Sequence, residues 1–243
     1  MRDTQSTRPS HLAAILNVIV AMALAMPGTR AIAADNASLL AALHAPDDVV
    51  VAPWTGAADR TLVMWAVKAK DDPKRPDFGA ELYDFHLRVA QTSTGRVLQR
   101  QDQRHVFTSD ANHFDGVTFD MADLALADRR PAFAVRVNYS HQGCDSMAQS
   151  DLRLYQVVQG RLRQVFNQSE FDKSQGTCDC SGAEESEGNL HVAPGSTNGQ
   201  ADLLRGWHEI VHNERMVGEE CVDHPAQQSG NVRLRFNGEM YRE

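Results

Sequence analysis

After Met26 the chain contains no long apolar run, so no second segment is fit to span a bilayer. It has no surplus of positive charge: 24 Lys and Arg stand against 32 Asp and Glu, a formal net charge of −8. Phosphate binding needs a basic field, so nucleic acid and anionic membrane are disfavoured as partners. There is no G-x-S-x-G elbow and no glycine-rich phosphate loop, which removes two common signs of an enzyme. Ser, His and Asp are plentiful, but no spacing orders them into a triad. No strict period runs through the chain, so neither a solenoid nor a complete propeller is expected.

What is present starts with a leader. Arg2 and Arg8 precede an apolar run from Leu12 to Met26, followed by Pro27-Gly28 and Ala31-Ile32-Ala33. A basic region, a hydrophobic stretch and a small-residue site predict a secretory signal peptide over residues 1–33. The run is shorter than the ~20 residues a membrane span needs. No cysteine lies near the cleavage site, so no lipid anchor is expected. Cleavage removes three arginines and one aspartate, which takes the net charge from −8 to −10. The expected product is a periplasmic or secreted protein with no membrane insertion, its residues 34–243 forming one domain with a soft boundary at 68–79.

Cysteines are few. Cys144, Cys178, Cys180 and Cys221 all fall in the mature part, and an even count in an exported chain predicts two disulfides. Cys178 and Cys180 are too close to pair with each other, so each is expected to join Cys144 or Cys221, in an order the spacing leaves open. The rival is a zinc site of Cys178, Cys180 and a histidine, disfavoured by the short C-x-C spacing and the oxidising compartment.

The rest reads as strands. Within Arg130–Phe166, Phe133, Val135, Val137 and Tyr139 alternate with Ala134, Arg136 and Asn138, the pattern of a half-buried strand. Asp151–Val158 repeats it, and Gln159-Gly160 closes a hairpin onto Arg161–Phe166. Val49–Ala52, Thr61–Val67, Glu81–Gln91, Arg96–Arg100 and Val117–Leu126 are further strands, with Trp54 and Trp65 as core anchors. A third hairpin is expected over Asn231–Tyr241, turning on Asn237-Gly238. Asn36–His44 suits a short entry helix. Ser169–Glu187 reads as loop with a solvated acidic run at Glu184, Glu185 and Glu187, and Pro194–Gln200 as a turn cluster. The expected fold is mainly β: antiparallel sheets or a sandwich built from hairpins, with a short N-terminal helix and two disulfides.

One motif would name an enzyme. His208-Glu209-Ile210-Val211-His212 matches H-E-x-x-H, in which helical spacing puts two zinc-ligating histidines on one face with a catalytic glutamate. Glu219, Glu220, Asp223 or His224 could supply a third ligand. That reading gives a secreted zinc metallopeptidase with Glu209 as base and His208 and His212 as metal ligands. The same residues also alternate as a strand, with Trp207, Glu209 and Val211 on one side and His208, Ile210 and His212 on the other. Extended, the motif cannot close on a metal, and this is the preferred reading. Asp110, Asn112 and Asp115 resemble a calcium loop, but their spacing is one, three, six, and an Asx-turn is the better reading. Asn36, Asn138 and Asn167 begin glycosylation sequons, which matter only in a eukaryotic secretory route.

The C-terminal half resembles a group of uncharacterised exported proteins of Gram-negative bacteria. The resemblance rests on His113-Phe114-Asp115-Gly116, Ala132-Phe133-Ala134-Val135-Arg136, Leu152-Arg153-Leu154-Tyr155 with Gly160, Asn198–Leu204, Cys221, and Leu234–Gly238 before Tyr241. It implies that Ala201–His212 is a strand, and it brings no catalytic residue with it. Cys144 and the second cysteine of Cys178-Asp179-Cys180 depart from the group. The expectation is therefore a non-catalytic binding protein whose partner is a protein or a small envelope ligand, with no cofactor. An inhibitor or immunity role against a cell-wall enzyme suits compartment, charge and size, and a structural envelope protein is a third class.

Overall fold

A computed structural model describes residues 39–41, 43, 45–46, 48–70, 80–127, 130–176, 180 and 182–243. The expected leader, residues 71–79 of the 68–79 segment and Cys178 lie outside them.

Two antiparallel sheets make up nearly all of what is described. The first is a four-stranded meander of β1 (Val50–Pro53), β2 (Arg60–Lys68), β3 (Glu81–Gln91) and β4 (Val97–Ser109). The second holds β5 (His113–Ala127), β6 (Arg130–His141), β7 (Met147–Val158), β8 (Arg161–Gln175), β9 (Ala183–Thr197) and β10 (Gln200–His212) in chain order. β13 (Ala226–Phe236) and β14 (Tyr241–Arg242) complete it beyond β10, and β11 (Arg215–Val217) pairs with β12 (Glu220–Val222) in a small separate hairpin.

Alternation assigns each strand two faces. In β6, Phe133, Val135 and Val137 join Trp54, Leu62, Met64, Phe85, Leu87 and Phe107 in a core between the sheets. Ala132 and Ala134 face the other way, into a second core with Leu152, Leu154, Phe166, Leu203, Leu234 and Phe236. β7 is covered on both sides, and Ser150 to Gln156 are all buried. Arg153 keeps its guanidinium on the face of Phe107, 4.6 Å from the ring centre, which suits a cation in a dry place. Trp54 is a core anchor as expected, meeting Phe133 edge-on at 5.1 Å. Trp65 is a core anchor too, buried with Leu39, Val63 and Ala90 in a further cluster on the outer side of the first sheet. Leu39–Ala41 and Leu43 are helical; the rest of the expected Asn36–His44 helix falls outside the described residues.

Turn chemistry matches the residues. Gln159 and Gly160 both have positive φ, 52° and 73°, as do Asn198 and Gly199 at 51° and 76°, and each pair joins two strands as a two-residue hairpin loop. The Asn237-Gly238 turn differs from its expectation. It is a four-residue loop in which Asn237 Oδ1 accepts from the amides of Glu239 and Met240, both at 2.9 Å, so the asparagine acts through its side chain. The 110–112 segment is an Asx-turn, Asp110 Oδ1 accepting from the Asn112 amide at 3.1 Å.

Two loop expectations are corrected. Ser169–Gln175 and Ala183–Glu187 are not loop but the end of β8 and the start of β9; Pro194–Thr197 belongs to β9 as well. Apart from Phe171, which enters the second core, these stretches are mostly polar and are held extended by the ladders on either side of them.

β8 and β9 pair only through Lys173–Gln175 with Ser186–Glu184. Beyond that corner they diverge, and the second core fills the gap between the two halves of the sheet. Gly188 stands where β9 leaves β8: a Cβ there would lie 2.5 Å from the Phe171 carbonyl oxygen. Asp172 replaces part of the lost ladder by accepting the Gly188 amide at 2.9 Å.

Of the two expected disulfides, one lies wholly within the described residues. Cys180 bonds Cys221, tying the approach to β9 to the β11–β12 hairpin. Cys144 is disulfide-bonded as well. The zinc rival fails at Cys180, whose sulfur is bonded to Cys221. Among the described residues no helix is long and apolar enough to cross a membrane.

Candidate functional site

A cleft of about 560 Å³ opens across β5 to β10, at the corner where β8 meets β9. Register places its side chains. Ser150 pairs with Asp172, Ala148 with Ser174, Ser174 with Glu185, Glu185 with Ile210 and Glu187 with His208. Cross-strand partners share a face, so these residues form one continuous surface. Asp115, on β5, joins it from the far wall, where its Oδ1 accepts from Ser140 Oγ at 3.0 Å.

Arg136 fixes the inner end. Its Nε donates to Asp120 Oδ2 at 2.9 Å and its Nη1 to Ser150 Oγ at 3.0 Å and to Asp172 Oδ2. Its guanidinium also covers the Phe171 ring at 5.3 Å. Asp172 receives Ser150 Oγ at 3.0 Å on the same oxygen and the Gly188 amide on the other. One guanidinium thus offsets two carboxylates and links β5, β6, β7 and β8, while Asp172 reaches β9. Asp172 is structural: both its oxygens are committed.

The other carboxylates of the cleft differ. Among the described residues Asp115, Glu185 and Glu187 have no cationic partner within ion-pair distance. Lys173, at the same corner, sends its ammonium to Glu184 Oε2 at 3.3 Å. Glu184 lines a different, smaller depression with Trp207 and Glu209, on the opposite side of β9 and β10. His208 is exposed on the cleft face. Ala148 and Ile210 supply its apolar contribution.

The H-E-x-x-H motif lies in β10 and is extended throughout: His208 pairs with Ser229 and Glu187, Glu209 with Gln228 and Ser186, and Val211 with Ala226 and Glu184. His208 and Ile210 line the cleft, while Trp207 and Glu209 line the opposite depression. A strand rises about 3.4 Å per residue, which sets His208 and His212 about 14 Å apart along it. The peptidase arrangement of His208, Glu209 and His212 therefore has no counterpart here. Glu209 accepts from Gln228, and His212 Nδ1 lies 2.7 Å from Asp223 Oδ2. That contact, with the charge of Glu185 nearby, raises the His212 pKa above its usual value. Of the proposed third ligands, Asp223 is thus engaged with one histidine. Glu219 and Glu220 lie at the tip of the β11–β12 hairpin and His224 beyond it, where its amide donates to Asn213 O at 3.3 Å.

Potential metal ligands converge in one place among the described residues, at Cys180, Glu214 and Cys221. Its two sulfurs are bonded to each other, and Glu214 Oε2 lies 3.8 Å from Cys221 Sγ.

Sequence reasoning reached His208 and the acidic run without seeing that they meet. It missed Asp115 as a wall residue, along with Ser150, Asp172 and Ser174. A faint signal was there: Asp172 and Ser174, like Glu185 and Glu187, keep period two through polar sequence. No protein-family model matches this chain, and no curated protein or solved structure matches it significantly. The class defined here is an antiparallel β-protein of two packed sheets, one of them splayed open at a corner that carries a polar cleft.

Proposed function

We propose that this is a non-catalytic binding protein of the cell envelope, and that the corner cleft between β5 and β10 holds its ligand. The observation that carries the reading is the cleft itself. It is built by register from six consecutive strands and braced at one end by the Arg136–Asp120–Asp172 network. Its volume of about 560 Å³ falls within the ~300–1,000 Å³ usual for small-molecule sites. Export is supported by the leader-like N-terminus, by the exported proteins the C-terminal half resembles, and by a disulfide of the kind oxidising compartments maintain. Among the described residues no nucleophile, base and oxyanion site converge in the cleft, which supports binding over turnover.

The test is methyl NMR of the exported, non-reduced protein, with Ala148 and Ile210 as reporters, titrated with small-molecule fractions of an envelope extract. A fraction that shifts both methyls in a saturable way is expected. If no fraction moves either reporter, the cleft is not a ligand site.

A further inference from the structure

We propose that two copies of this chain pair edge to edge through β13, continuing the second sheet across a two-fold axis at Gly230. The corner cleft plays no part in this pairing.

β13 leaves one side open. Ala226–Leu234, nine residues, pair with β10 on the inner side, while on the outer side β14 takes only Arg235 and Phe236. Among the described residues nothing else pairs with that outer side. Such a row of backbone N–H and C=O groups is a template for another strand, and edges are commonly guarded by shortness, proline, charge or bulges. The other edges here are guarded. β1 has four residues and ends at Pro53. β4 exposes Arg100, Asp102 and Arg104 and carries a positive φ of 52° at His105, beside a shift of register. β5 shifts register against β6 three times. The run in β13 holds no proline, lysine or acid, and its register with β10 is unbroken. Its single charge, Arg233, is turned inward, with Nη1 donating to Pro194 O at 3.0 Å and to Asp202 Oδ2 at 3.3 Å.

The middle of the run indicates which strand fits. The fifth of its nine residues is Gly230, which pairs with Trp207. The half-buried indole lies over that glycine, since a Cβ on Gly230 would stand 2.9 Å from three ring atoms. Full overlap of two runs sets Gly230 against Gly230 of the other copy, about 4.5–5.5 Å away. Opposite residues share a face, so both indoles lie on one side of the joined sheet and lean toward the axis with no side chain between them. Tryptophans at the centre of an interface supply much of its stabilisation. The same register sets Arg233 opposite Gln227 and Ser229 opposite Asn231, so no like charges meet. A chain of net charge −8 thus meets its copy along a run that holds no acid. An unrelated extended peptide would use the backbone groups but would bring no second glycine and indole to the centre.

The test is sedimentation of the exported, non-reduced protein from about 1 μM to about 1 mM. A reversible monomer–dimer equilibrium is expected. Its formation should change the tryptophan fluorescence, and W207F should remove that change. Ser229 is exposed, and in the paired sheet the two copies of this residue are diagonal neighbours about 7–8 Å apart. S229K alone and S229E alone should each weaken the dimer about tenfold, because like charges then face each other, with the melting temperature of the monomer unchanged. Mixing the two variants should restore dimers, each holding one chain of either kind. A protein that stays monomeric to about 1 mM would overturn the proposal. So would a dimer indifferent to S229K and S229E, which would be formed elsewhere on the surface, or variants that weaken it singly but are not rescued by mixing. A monomer whose β13 amides are protected only by a different envelope protein would assign the edge to that partner, and the pairing of copies would fall.

Discussion

Gly188 has no side chain because there is no room for one. Any Cβ would sit 2.5 Å from the Phe171 carbonyl oxygen and 2.9 Å from its ring. Overpacking of this kind costs about 1–3 kcal/mol, so Gly188→Ala should lower the urea midpoint by a corresponding amount. Arg136 is the other residue on which the corner depends. Replacing it with Met removes the guanidinium that Asp120 and Asp172 share. Each of these side chains keeps about a quarter to a third of its surface in water, so the loss should be about 2 kcal/mol, below the 3–5 of a fully buried pair. The His212–Asp223 contact gives a pH signature. The folded pKa of His212 is raised, so its contribution is complete below pH 6.5 and fades as pH rises through the higher folded value. Asp223→Asn should therefore destabilise the protein more at pH 5.5 than at pH 9, as read by melting temperature; an equal loss at both would rule the ion pair out as the cause.

At the scale of elements, the β10–β13 hairpin is the instructive case. It runs regularly from Leu203–Leu234 to Val211–Ala226, then ends in the small β11–β12 hairpin, where Met216 and Val217 are both more than half exposed. Little burial holds this tip. The Cys180–Cys221 bridge does, closing a sequence separation of 41 residues, which is worth about 4 kcal/mol in the chain-entropy account. Replacing both cysteines with serine should lower stability by up to that amount. It should also speed amide exchange in Arg215–Val222 while leaving β6 and β7 protected. How much of these elements the sequence disclosed depended on what their side chains touch. β6, β7 and β10 were legible because each presents an apolar face to a core. The ends of β8 and β9 were not. Asp172, Ser174, Glu185 and Glu187 are polar and look like loop until β7 and β10 are set on either side.

For the whole molecule, the first core joins the two sheets into one cooperative body. Phe133 of the second sheet meets Trp54 of the first at 5.1 Å and stacks on Tyr155 at 5.8 Å. Phe133→Ala should cost about 3–5 kcal/mol. Unfolding followed by Trp fluorescence and by far-UV circular dichroism should still coincide, since neither sheet keeps a complete core alone. Separate transitions would show that the sheets are independent.

The sequence by itself determined the β class, the two-residue hairpin at Gln159-Gly160 and the extended state of His208–His212. Each follows from local rules: the period of the apolar residues, the φ a turn requires, the face on which a side chain falls. Only the tertiary structure decided which cysteine meets Cys221 and where the sheet splits. It alone set Asp115 and Glu187 on opposite walls of one cleft. Those outcomes depend on strands far apart in the chain being stacked in a fixed register, and no local pattern of polar residues encodes which neighbour a strand will find.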